Sequence, residues 1–393
     1  MSFEKPFAPA EFQRRINDVK NRMERAGLDL LICQDPANMG WLTGFDGWSF
    51  YTPQAVLVHI DHEQPVWFGR AQDAKSAAIT TDISAENIIS FSERLVHQPE
   101  DHPFDELCDL IKSRGWEAAR IGVELDALYY TARAHRHIVN GLPAAQIFDS
   151  RELVNWARLV KSDAELVYMR EAGRLITKVM NQAIALVKPG VPENEVIAEV
   201  YRFQILGIDS KYGDYASCCP LIQIGEGTST PHLTWTSTPL PKDGLVVMEL
   251  AGVRRHYHAP LTRTISIGKP SDAVNKLADA IIEGGDAALA AAKPGVACEE
   301  VEAIWQKVLR KHGYRKDSRV GYSIGLNYPP DWGEKTVSLR QGEKTVLQQG
   351  MCFHFQSGVW LEDFGCAISE SFVVTEKGGE RIADVDRRLF TVD

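Results

Sequence analysis

The 393-residue sequence predicts an α/β N-terminal domain followed by an α+β domain with an internal pseudo-twofold repeat. Three observations predict it. The chain is too long for one ordinary core, so two domains are expected. Short apolar runs punctuated by turns fill roughly the first 150 residues, and long helical stripes follow. Finally, Lys188-Pro-Gly-Val191 recurs as Lys293-Pro-Gly-Val296, 105 residues later, and each copy leads into a Glu-Val pair and a helix.

Phe12, Ile16, Val19 and Met23 recur at helical spacing and predict a first helix ending near Gly27. Apolar runs at 29–33, 55–60, 65–68, 87–91 and 121–125 predict strands, with a helix around Phe104–Lys112. Ser162-Asp-Ala-Glu165 is a capping box. From it Leu166, Met169, Ile176, Val179, Ala183 and Val187 keep helical period for over twenty residues, as far as Lys188-Pro-Gly190. Beyond each Lys-Pro-Gly-Val copy comes a helix and then a β-rich stretch that begins at a glycine, Gly244 or Gly350. The two halves therefore predict a duplicated fold with a site between them.

Composition narrows the function. A net charge of −10 argues against a nucleic-acid-binding face. No apolar run approaches the roughly 18 residues of a membrane span, and Met-Ser-Phe-Glu-Lys-Pro lacks a signal core. Seven cysteines without CxxC spacing form neither a disulfide framework nor a zinc site. A cytoplasmic enzyme acting on a small molecule is expected.

Several motifs belong together. Asn38-Met-Gly-Trp-Leu-Thr-Gly44, the Leu159-Val-Lys-Ser162 helix start, Pro231-His232, Gly321-Tyr-Ser-Ile-Gly325, Gln356-Ser-Gly358 and Gly365-Cys-Ala-Ile-Ser369 stand in one order along the chain. In this they resemble the creatinase/prolidase family. The resemblance implies a creatinase-type N-terminal α/β domain over 1–155 and a pita-bread (creatinase/aminopeptidase-like) catalytic domain over 156–393.

Metal-using members of that family carry five ligands, two aspartates eleven residues apart, a histidine and two glutamates. The matching positions here read Glu249, Pro260, Tyr322, Gln356 and Ser369. Two hard divalent ions require several carboxylates. The resemblance therefore implies the metal-free branch typified by creatinase, with no metal and no cofactor. It also implies His232 as the catalytic acid/base, since imidazole titrates near neutrality. Glu249, a carboxylate in the apolar run Leu245–Ala251, is the second candidate. Its roles left open are nucleophile, partner of a cationic substrate, and structural acid.

The local motifs at 44–51, 231–235 and 321–334 closely resemble bacterial members that hydrolyse the cyclic amidine ectoine to N-acetyl-2,4-diaminobutyrate. That resemblance implies a zwitterionic substrate. Trp48, Phe50, Tyr51, Trp235, Tyr322, Trp332 and His354 are the candidates to wall its pocket, aromatic faces suiting a delocalised cation. Arg263 or Arg340 is expected either to hold its carboxylate or to serve as an internal ion-pair partner. The family further implies a homodimer in which the N-terminal domain of one chain lines the site of the other. The alternatives are another creatinase-like amidine or guanidine hydrolase, a metal-dependent Xaa-Pro peptidase, a dimethylsulfoniopropionate lyase and a non-catalytic binding protein.

Overall fold

The computed structural model describes residues 4–393. The chain divides into two compact units, with the break between Arg158 and Leu159.

The first unit runs α1 (Pro9–Ala26), β1 (Leu30–Cys33), α2 (Pro36–Thr43), β2 (Ala55–His59), β3 (Val66–Arg70), α3 (Ala74–Thr80), β4 (Ile88–Phe91), α4 (Pro103–Ser113), β5 (Arg120–Val123), α5 (Ala132–Gly141), β6 (Gln146–Asp149) and α6 (Leu153–Arg158). Its six strands form one sheet in the order β4-β3-β2-β1-β5-β6. The stripe Phe12, Ile16, Val19, Met23 is the buried face of α1, and left-handed Gly27 closes that helix. All four residues of β1 are buried, as a central strand covered on both faces requires. Asn38, in the first motif, is a scaffold residue. Its amide donates to Glu124 (2.6 Å) and Asn155 (2.8 Å), and Glu124 accepts the backbone N–H groups of Gln34 and Asp35.

The second unit contains two matching halves. The first is α7 (Asp163–Leu186), α8 (Glu193–Leu206), β7 (Leu221–Ile224), β8 (Gly244–Arg254) and β9 (Tyr257–Ile267). The second is α9 (Asp272–Ala291), α10 (Cys298–Lys311), β10 (Gly321–Ile324), β11 (Gly333–Leu339), β12 (Cys352–Phe355), the short pair β13 (Val359–Trp360) and β14 (Gly365–Cys366), then β15 (Glu370–Thr375) and β16 (Gly378–Arg381). A last strand, β17 (Phe390–Val392), pairs in parallel with β9. The sheets are ordered β17-β9-β8-β7 and β11-β10-β12-β15-β16. The capping box at Ser162 and Glu165 starts a 24-residue α7.

Backbone hydrogen bonds establish the duplication. Gly190 N–H donates to Leu240 O, and Leu240 N–H to Val191 O; in the second half Gly295 donates to Leu347 and Leu347 to Val296. Glu193 to Thr238 is matched by Cys298 to Thr345. Both glycines take positive φ, +83° and +91°, which only glycine adopts without strain. The sequence Lys-Pro-Gly-Val repeats because each half needs this turn to pin its second helix to a β segment.

The two sheets join along β9. Thr262 N–H donates to Ser369 Oγ (2.7 Å), Ser369 N–H returns to Thr262 O (3.1 Å), and Ser371 Oγ donates to Pro260 O (2.6 Å). Every residue of β9 and all but the first of β8 are buried. Among the described residues, no helix is long and apolar enough to cross a membrane, and all seven cysteines are free thiols.

Candidate active site

The two halves bring one carboxylate and a hydrogen-bonded cluster to the seam between β8, β9, β10 and β12. Glu249 lies on β8, paired with Leu221 on one side and Thr262 on the other. Its Oε2 accepts a hydrogen bond from Gln356 Nε2 at 2.9 Å, and the same amide nitrogen donates to Thr262 Oγ1 at 3.1 Å. The other carboxylate oxygen is 3.9 Å from His354 Nδ1. Burial raises the Glu249 pKa to about 7, held back by the Gln356 hydrogen bond and the Lys316 charge.

Opposite Glu249, a chain of contacts runs through the second half. Trp332 Nε1–H donates to Tyr322 OH (2.8 Å), Tyr322 OH is 2.9 Å from His354 Nδ1, and His354 Nε2 is 2.8 Å from Ser369 Oγ. Burial pushes His354 down to about 3, with Lys316 and Arg319 adding to the shift, so the imidazole is neutral and its contact with Glu249 is no ion pair. Burial likewise lifts Tyr322 well above the usual phenol range. The phenol stays protonated at neutral pH.

Lys316 is a site residue that the sequence reading missed. Its ammonium donates to Gln356 O (2.9 Å) and Gly358 O (2.7 Å) and lies 4.7 Å from the Trp360 ring centroid. Burial lowers its pKa to about 7, and Glu249 raises it in part. Lys316 sits in the polar stretch Tyr314-Arg-Lys-Asp-Ser-Arg319, which reads as a solvated loop and gives no signal of burial.

The structure places the remaining candidates unevenly. His232 is exposed, in the loop after the 3-10 turn Gly225–Ser229. That loop is fastened to β7, the strand beside β8, by Gln223 Nε2 donating to Leu233 O (2.9 Å). Trp235 is half-buried against Tyr201, their rings 6.0 Å apart. Trp332 is buried beside Tyr322, and its loop is closed by a buried Lys161–Glu334 ion pair of 2.6 Å. In the first unit Phe50 is buried, while Trp48 and Tyr51 are 59% and 56% exposed.

Arg263 is corrected. It does not hold a substrate carboxylate, because all its donors are engaged within the protein. Nε donates to Asp386 O, Nη1 to Thr262 O and Ser369 O, and Nη2 to Glu370 and Val385 O. It is the internal ion-pair partner of Glu370. Arg340 is exposed, one residue beyond the end of β11.

The residues at the family's ligand positions do not fit a dinuclear metal centre. Pro260 has no donor atom, Gln356 turns its amide N–H toward Glu249, Tyr322 stays protonated, and Ser369 Oγ already accepts from Thr262. Among the described residues, no three His, Cys, Asp or Glu side chains are grouped to hold a metal ion.

The duplicated α+β domain, its two halves meeting at a seam of polar side chains, has the architecture of the pita-bread hydrolases. Residues 167–376 match metallopeptidase family M24 and residues 15–160 the creatinase/prolidase N-terminal domain; the chain belongs to this family of hydrolases acting on carbon–nitrogen bonds. It is 39% identical to the ectoine hydrolase of Halomonas elongata, over 98% of both chains. It is 40% identical to an uncharacterized hydrolase/peptidase of Sinorhizobium fredii, over 98% of this chain and 99% of that one. The prolidase of Thermococcus sibiricus shares the fold, with a TM-score of 0.83 at 19% identity over 97% of this chain and 99% of that one.

Proposed function

We propose that this protein is a metal-independent ectoine hydrolase of the cytoplasm, working as a homodimer. The observation that carries the reading is Glu249. It is a buried carboxylate fixed by an amide at a position where metal-using relatives carry a metal ligand, with a neutral imidazole and a protonated phenol close by and the Lys316 cation within electrostatic reach. The 39% identical relative named for this activity supports it.

Ectoine combines an amidinium ring with a carboxylate. Its amidine carbon is electrophilic because the ring is protonated, so no metal is needed to polarise it. Glu249 pairs with that amidinium or attacks its carbon, and His232 moves the proton. In either course, water supplies oxygen to the amidine carbon and one carbon–nitrogen bond breaks. The departing nitrogen takes up a proton, which leaves N-acetyl-2,4-diaminobutyrate. Tyr322 and His354 add no charge beside Glu249, and the Lys316 cation favours its ionised form.

Purified protein incubated with ectoine in excess chelator should form N-acetyl-diaminobutyrate at its full rate. A rate that chelator abolishes and a divalent ion restores would overturn the metal-free mechanism. Absence of product with an untreated enzyme would overturn the substrate. His232→Ala should lower turnover about a hundredfold or more; near-native turnover in a folded variant would remove His232 from the reaction.

A further inference from the structure

The reading above leaves the substrate carboxylate without a partner, since Arg263 has none of its donors to offer. In a cyclic amidine of this kind the carboxylate is separated from the amidine carbon by one ring nitrogen and one ring carbon. It cannot face Glu249 without repulsion, so a cation must stand on another wall.

A cation that touches the Tyr322 side chain is Arg319. It immediately precedes Val320 and β10, is exposed, and lays its guanidinium 4.3 Å from the centroid of the Tyr322 ring. Tyr322 therefore has Arg319 on its ring and the Glu249 cluster at its hydroxyl. The guanidinium makes one hydrogen bond, from Nη1 to Ser338 Oγ at 3.2 Å. It meets no other acceptor among the described residues. Stacking on a phenol ring fixes the plane of a guanidinium and leaves an N–H edge for two parallel bonds to a carboxylate.

We propose that Arg319 binds the carboxylate of the substrate and so turns its amidine carbon toward Glu249. This rests on the ectoine reading. It makes Arg319 the residue that distinguishes amino-acid-like amidines from plain cyclic amidines.

The test compares ectoine with 2-methyl-tetrahydropyrimidine, the same ring without its carboxylate. Two quantities are measured, kcat/KM for ectoine and the inhibition constant of the truncated ring. Arg319→Gln should lower kcat/KM about ten- to hundredfold, the range for a lost hydrogen bond to a charged group. It should leave the inhibition constant within about twofold of native, and Arg319→Lys should fall between. Equal losses for both molecules would mean that Arg319 acts by supporting Tyr322, and would overturn the proposal. So would an unchanged kcat/KM. A native enzyme that opens no ectoine would overturn the substrate reading and this proposal with it, a result distinct from either.

Discussion

Burial of Glu249 on β8 raises its hold on a proton until it titrates near about 7. A protonated acid neither pairs with an amidinium nor attacks its carbon. Because the shift is upward, the active ionised form is lost as pH falls through 7 and complete above it. We expect kcat/KM to rise with pH up to about 7 and then level. Lys316→Met should move that inflection upward, since the Lys316 cation is one of the two influences that favour the ionised acid. An unmoved inflection in a folded variant would show that another group sets it. Glu249→Gln should cost about 10²- to 10⁴-fold in turnover. Glu249 was legible in the sequence because an acid inside Leu245–Ala251 needs a reason. Pro260, Gln356 and Ser369 were legible as lost ligands, but their new roles were not. That Gln356 donates to Glu249, or that Ser369 receives the Thr262 amide, depends on how β9 meets β12 and β15. Arg263 was misjudged in one of its two readings for the same reason, as its acceptors lie more than 100 residues away apart from Thr262.

The elements that hold the site depend on close backbone approach and on one buried ion pair. Gly252, three residues beyond Glu249 on β8, packs under α7. A Cβ there would lie 2.2 Å from Ala172 O and 2.6 Å from Ile176 N. Neither atom can retreat without shifting the helix. Gly252→Ala should therefore destabilise the protein by about 1–3 kcal/mol, seen as a lowered denaturation midpoint; an unchanged midpoint would mean that α7 moves freely. Lys161 and Glu334 are each about 1% exposed. Removing one partner strands a buried charge, so Lys161→Met should cost about 3–5 kcal/mol, and adding Glu334→Leu should recover much of it. The longer helices α1, α4 and α7 to α10, the capping box and the duplicated turn were readable because they rest on local periodicity and φ preferences, whereas the short α2, α3, α5 and α6 were not. Five of the six strands of the first sheet were legible as apolar runs. β6 was not, because Gln146-Ile-Phe-Asp149 is short, half-exposed and flanked by no apolar run. The Lys161–Glu334 pair was not readable at all, since 173 residues separate its members.

At the scale of the whole molecule, Trp48 and Tyr51 are large aromatic side chains left exposed in the first unit, beside Gly47. Trp48 rests on Phe50 at 4.8 Å, which itself meets Tyr129 at 5.3 Å, and Tyr51 OH accepts a hydrogen bond from Arg70 Nη1 at 3.2 Å. Exposed rings on a firm base are suited to contact with another surface, and the proposed homodimer gives them one at the partner's site. The consequence is a complementation experiment. A chain carrying Trp48→Ala and Tyr51→Ala would supply an intact Glu249, and a chain carrying Glu249→Gln would supply intact rings. If each site takes its rings from the other chain, each pure variant is nearly inactive, but a mixed dimer has one whole site of its two. Random exchange makes half the dimers mixed, so unfolding and refolding an equal mixture should restore about a quarter of native activity. If each chain builds its site alone, the mixture should be no more active than the mean of its parents, and sedimentation would establish whether dimers had formed at all.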